Sequence, residues 1–224
     1  MFSGDANMQH AYQSGSDLHS KTTELLFGDT SGLSPQEQKR KRTEAKSMNF
    51  GFLYGMSAKT FVDYAKGYGL NITEEQSEGF RNDFFKAYPR LLPWHEECKA
   101  YARKNGHTWS PIGRKRFLPD INSSNWSDRG QAERQSINSG VQGFASDMCI
   151  SALSDIVFSD IIDHERCKVL GSVHDAILFE IRDDYVEEVV PIIKEMMEHP
   201  SIIEGIDIPI PIIADVEVHQ AWGG

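Results

Sequence analysis

The first clear alternation of polar and apolar positions is helical and starts at Ser34. Ser34 is placed to cap, Pro35 fits the first helical position, and Glu37 stands where a capping box needs it. The pattern runs to Tyr54, where Gly55 is placed to end it. The stretch before Ser34 is polar and rich in Gly and Ser. Thr73 and Gln76 form a second capping box, opening a helix that ends before Pro89. A third helix is expected from about Leu92 to Lys104, stopped by Gly106. Residues 107–118 read as a short hairpin around Pro111 to Gly113. A long helical pattern then runs from Ser127 to about His164, with a weak point at Ser139-Gly140. Cys167 to Val173 and Ala176 to Ile181 are two apolar runs, expected to be buried, rigid strands with His174-Asp175 at the hairpin tip. Asp184 to Glu198 is an amphipathic helix with Val186, Val189, Val190 and Ile193 on its apolar side and Pro191 as a candidate kink. A last strand is expected from about Ile212 to Val218, since Pro209 and Pro211 bar an earlier start. The fold class is therefore α+β, helical first and mixed afterwards, with a boundary near residue 125.

The length of 224 residues suits one large domain or two small ones. No apolar run approaches the roughly 20 residues that span a bilayer, and no secretion signal is visible at Met1. Cys98, Cys149 and Cys167 are scattered and form no CxxC pair, which fits a reduced intracellular protein. The net charge of −10 argues by itself against nucleic-acid binding. Its distribution argues the other way. Lys99 to Arg116 holds six Lys/Arg and no Asp/Glu, and Lys39 to Lys46 holds five Lys/Arg and one Glu. Local patches govern phosphate attraction, because salt screens beyond about 8–10 Å. Solvated helix faces are the alternative.

Arg42, Lys46, Phe50 and Tyr54 are spaced by four, so they fall on one side of the first helix. Cations followed by aromatics suit a triphosphate with its base attached. A core-facing aromatic pair with two surface cations gives the same spacing.

The run from Arg42 through Lys46 and Phe50-Gly51 to Tyr54-Gly55 resembles motif B of the family A DNA polymerases. That resemblance implies that Arg42 and Lys46 hold the triphosphate, with Lys46 also catalytic, that Phe50 packs on base and sugar, and that Tyr54 sits at the templating pocket. Ser3-Gly4-Asp5 and Gly15-Ser16-Asp17-Leu18-His19 resemble the stretch before the fingers, with His19 at the position of a triphosphate-contacting histidine. The run from Gly113-Arg114 to Pro119-Asp120 resembles a segment lying along DNA, which assigns Arg114 to DNA. Arg134, Asn138 and Gln142, again spaced by four, match residues that contact primer–template, with an ordinary solvated face as the alternative. Val173-His174-Asp175 resembles motif C, implying that His174 lies at the DNA and that Asp175 ligates Mg²⁺ in a two-metal site. The family usually has Glu where this chain has Ala176.

The resemblance implies the helical fingers and part of the palm of a right-hand polymerase: fingers with a short remnant of preceding palm over 1–125, and the C-terminal palm with its antiparallel sheet over 126–224. It implies template-directed DNA synthesis from dNTPs on primer–template DNA, away from membranes, in the cytoplasm or the DNA-containing compartment of an infected cell. Motif A, with the second metal-ligating Asp, is expected before Ser3. The chain is thus expected to need an upstream polypeptide and to be inactive alone, and its hairpin to leave an unpaired edge. The alternatives are one subunit of a split polymerase and a non-catalytic DNA- or nucleotide-binding module.

Overall fold

The structure is a computed structural model that describes residues 2–15 and 17–221, so Ser16 of the Gly15–His19 stretch lies outside it. The chain divides into two compact units, Met1–Trp109 with Lys115–Val141, and Ser110–Arg114 with Gln142–Gly224.

In the first unit, the polar stretch before Ser34 folds into two short helices, α1 (Ala6–Gln13) and α2 (Leu18–Phe27). Each is started by an aspartate: Asp5 accepts from the Met8 N–H, and Asp17 from the Ser20 N–H. These caps are the local signal that the Ser and Gly content obscured. In α3 (Pro35–Phe52) the capping box of Ser34 and Glu37 is present. The helix closes through Gly55, whose φ of 80° is in the left-handed region. The Gly55 N–H donates to Phe52 O at 3.0 Å and the Met56 N–H to Gly51 O at 3.1 Å, the paired bonds of a Schellman closure. Tyr54 therefore stands in the closing turn and not on the helix itself, a small correction to its expected placement.

α4 (Ala58–Lys66), capped by Ser57, was not foreseen. It packs Phe61 against Phe52 with ring centroids 4.3 Å apart. α5 (Glu74–Ala87) begins at the Thr73–Gln76 capping box, and α6 (Leu91–Asn105) ends at left-handed Gly106. β1 (His107–Trp109) and β2 (Lys115–Phe117) form the expected hairpin. The aromatic core of this unit gathers Phe52, Phe61, Phe84, Tyr88, Leu91 and Ile137.

His95 of α6 is buried in that unit and its Nε2–H donates to the Leu53 carbonyl at 2.8 Å, tying α6 to the end of α3. Burial pushes the His95 pKa below the ordinary 6.5, against the Leu53 bond, which acts the other way. A folded pKa below the unfolded one gives stability that is present above pH 6.5 and lost as pH falls. Denaturant unfolding between about pH 7 and 5 should show stability declining, with a shallower decline in His95→Gln, which keeps an N–H donor.

α7 (Trp126–Val157) runs unbroken through Ser139-Gly140, where a weak point was expected. A Cβ on Gly140 would come within 3.2 Å of the Trp109 carbonyl, so this glycine serves a close backbone approach. The helix ends before the expected His164. Asp163 organises a turn there: its side chain accepts from the Glu165 N–H and its carbonyl from the Arg166 and Cys167 N–H groups.

In the second unit, β3 (Cys167–Val173) and β4 (Ala176–Ile181) pair antiparallel over the expected ranges, with Val173 opposite Ala176. They are not the buried strands expected. Cys167 is buried, but Leu170 is 61% and Val173 44% exposed. Among the described residues this sheet has two strands, and a register shift between Val169 and Gly171 interrupts the alternation. α8 (Val186–Glu198) continues through Pro191 and buries Val189 and Ile193. Residues 212–218 form no strand. They have no ladder partner among the described residues, and Ile213 and Val218 are exposed. No helix of the described residues is long and apolar enough to cross a membrane.

Candidate functional site

Most of the second half of α3 is buried: Glu44, Ala45, Ser47, Met48, Asn49, Gly51 and Phe52 all face protein. Arg42, Lys46 and Phe50 are the exposed stripe, with Phe50 45% exposed despite its large ring. The expected alternative, a core-facing aromatic pair, does not hold at Phe50.

α2 packs beside this stripe and brings His19 to it. The His19 ring lies 5.5 Å from that of Phe50, and its Nδ1 is 3.0 Å from Asn49 Nδ2. Burial lowers the His19 pKa; Arg42 and Lys46 lower it further, while Asp17 opposes them. These influences together favour the neutral ring of His19. The Arg42 guanidinium donates to Asp17 at 2.8 Å. Desolvation acts to raise the Asp17 pKa, yet hydrogen bonds from Ser20 and Arg42 hold it at about 2. No ion pair engages Lys46 among the described residues.

Tyr54 is half-buried, and desolvation raises its pKa. With Phe50 it lines an open cleft of about 340 Å³, whose other walls include Arg116, Arg134, Gln135 and Asn138. The Asn138 Oδ1 is buried there without a hydrogen-bond partner among the described residues. The cleft is polar, cationic and aromatic at once, and it suits a base with its phosphate.

The second unit holds the other expected residues. The guanidinium of Arg114 pairs with buried Asp147 of α7, its Nε donating to Oδ2 at 3.1 Å and a terminal nitrogen standing in ion-pair contact with Oδ1. Arg114 therefore braces its loop against α7. Gln142 is exposed on α7. His174 and Asp175 form the two-residue tip between β3 and β4, both exposed. His174 has a φ of 56°, which costs a residue with a side chain about 1–3 kcal/mol. No side-chain partner engages Asp175 among the described residues, and its charge raises the pKa of Cys149 after burial, the larger cause. The described residues contain no cluster of three His, Cys, Asp or Glu able to cage a metal.

A sequence model described as DNA polymerase family A matches residues 1–224. The chain belongs to DNA polymerase family A. It is 31% identical over 225 residues to a thermostable DNA polymerase I of Thermus filiformis, covering 98% of this chain and 25% of that protein. DNA polymerase I of Streptococcus pneumoniae TIGR4 is also 31% identical, over 221 residues, 98% of this chain and 24% of that protein. The chain spans about a quarter of the length of the curated relatives it matches. Among solved structures, the POL domain of Pol1 from M. smegmatis in complex with DNA primer-template and dNTP superposes with a TM-score of 0.79 at 28% identity, over 94% of this chain and 35% of that one. The fold class read from the sequence, α+β with helical fingers followed by part of the palm, is that of this family A polymerase.

Sequence reasoning missed Asn49 and Arg116 as neighbours of the site. Asn49 adjoins Phe50 in the motif but is buried, and Arg116 ends the basic run noted above. Nothing local marks Asp147 as the partner of Arg114.

Proposed function

We propose that this chain contributes the fingers and C-terminal palm to template-directed DNA synthesis, the transfer of a nucleotide from a dNTP to a primer 3′ hydroxyl. The observation that carries this is the exposed stripe Arg42, Lys46, Phe50, whose last two members interrupt the buried second half of α3, with His19 beside it. Exposed cations and an exposed aromatic at this spacing suit a nucleotide. Residues 1–125 serve as fingers with a short piece of palm before them, and 126–224 as palm.

In this reading Lys46 and Arg42 donate to the triphosphate, and Arg42 exchanges Asp17 for phosphate. Neutral His19 donates a hydrogen bond there without adding charge. Phe50 packs on the base and sugar, and Tyr54 bounds the templating pocket. Arg134, Asn138 and Gln142 contact primer–template at features that all base pairs share, with Arg114 and His174 near the DNA.

Asp175 fits one ligand of a magnesium site. It is an exposed carboxylate at a tight turn, and Mg²⁺ is commonly held by one or two carboxylates together with substrate phosphates. When bound, the metal would offset the charge that develops in phosphoryl transfer. Primer–template DNA and dNTPs are the proposed partners, with a further carboxylate supplied by a preceding polypeptide. The proposed location is the cytoplasm, or the DNA-containing compartment of an infected cell.

The test uses a polymerase assembled from this chain and the preceding portion of a family A relative. Phe50→Tyr places a hydroxyl where the nucleotide 3′ hydroxyl would be, so it should replace the hydrogen bond that a dideoxynucleotide lacks. Competitive incorporation should shift toward dideoxynucleotide by about tenfold or more. An unchanged ratio would remove Phe50 from the sugar site.

A further inference from the structure

A chain of buried polar groups leads from the core of the first unit to His19. Tyr88 Oη lies 2.7 Å from Thr22 Oγ1, Thr22 Oγ1 lies 3.1 Å from Asn49 Oδ1, and Asn49 Nδ2 lies 3.0 Å from His19 Nδ1. Thr22, Asn49 and Tyr88 are all buried, Thr22 and Tyr88 completely. Polar groups buried to this degree are kept only where they are paired.

The direction of the hydrogen bonds can be followed link by link. The Thr22 hydroxyl has acceptors in the Leu18 carbonyl and Asn49 Oδ1, so the Tyr88 hydroxyl is the donor between Tyr88 and Thr22. The Thr22 hydroxyl donates to the Leu18 carbonyl one turn earlier at 2.8 Å. It shares that proton with Asn49 Oδ1 at 3.1 Å, and the amide stands with Oδ1 toward Thr22 and Nδ2 toward the ring. An amide N–H aimed at Nδ1 requires that nitrogen to accept, so the ring proton sits on Nε2.

We propose that Asn49, held by Thr22 and Tyr88, is a positioning residue that fixes His19 as the Nε2–H tautomer, so that the ring offers a donor to the nucleotide phosphates. This rests on the nucleotide reading of the α3 stripe for its purpose, but not for its geometry. The opposite tautomer would turn a nitrogen lone pair toward the anion. The charged groups around the ring are Asp17, Arg42 and Lys46. Burial, with Arg42 and Lys46 against Asp17, favours the neutral ring, which makes its tautomer matter.

The experiment uses the assembled polymerase with ¹⁵N-labelled histidine rings, with the His19 signals identified by their loss in His19→Gln. Near pH 7.5 the parent should show Nδ1 as the bare nitrogen and Nε2 as the protonated one. Asn49→Asp places an acceptor against Nδ1 and should move the proton there or charge the ring. In the same variant the KM for nucleotide should rise about tenfold. In a His19→Ala background the same substitution should add little, because the two act through one interaction. Thr22→Val frees the Asn49 amide and should give a mixture of tautomers, which supplies a second reading if Asn49→Asp fails to fold. A proton on Nδ1 in the parent, or ring signals unmoved by both variants, would overturn the proposal. An unchanged nucleotide KM in His19→Ala would instead reject the nucleotide role of His19 while leaving the ring result to stand or fall separately.

Discussion

Asp175→Asn should lower primer extension by the assembled polymerase by roughly a few hundredfold or more, with DNA affinity unchanged or slightly raised. Asp175 is an exposed carboxylate at a two-residue tip, and its neighbour His174 carries the backbone strain of the turn. If Asp175 served only the turn, Asn would replace it with little effect, because Asn suits turns about as well. A hard cation needs the charge that Asn removes. The substitution keeps the shape of the tip, so the fold and DNA binding should survive. Removing a negative charge near primer phosphates would, if anything, help the DNA to bind. Single-turnover extension and DNA titration on the same preparation separate the two readings. Activity within a few-fold of the parent would reject Asp175 as a metal ligand.

Lys46→Ala should show the next largest loss, about ten- to 150-fold in kcat/KM for the nucleotide, corresponding to roughly 1.5–3 kcal/mol for a charge-assisted contact. Lys46 is exposed and meets no ion-pair partner among the described residues, so its ammonium is available to a phosphate. Arg42→Ala should fall at the low end of the same range. Arg42 must give up Asp17 before it meets a phosphate, and the loss of that pair offsets part of the gain. Pre-steady-state incorporation at varied dNTP concentration measures both. Unchanged constants in the two variants would show that the stripe is not the triphosphate site.

Much of this was legible in the sequence where the signal is local. The capping boxes at Ser34 and Thr73 and the stop at Gly106 are fixed by residues within a few positions of one another. The spacing of four that joins Arg42, Lys46 and Phe50 is also local, and so is the hairpin tip at His174-Asp175. What failed depended on distant partners. α4 buries Phe61 against Phe52, a contact the local pattern does not display. Gly140 looked like a break because glycine disfavours helix, but its small size serves the nearby Trp109 carbonyl. The strand expected at 212–218 had apolar composition but no neighbour to pair with among the described residues. At the site, spacing could not say that α2 would bring His19 onto the α3 stripe, or that Asp17 would hold Arg42.

The most direct test of the account is whether the template dictates the nucleotide. The assembled polymerase is offered primer–template duplexes that differ in one templating base, and incorporation of each of the four dNTPs is timed in a single turnover. The preferred dNTP should change with the templating base to its Watson–Crick partner, and this incorporation should be lost in Asp175→Asn. A folded protein that binds the duplex yet adds no nucleotide, or adds the same one whatever the template, would contradict it.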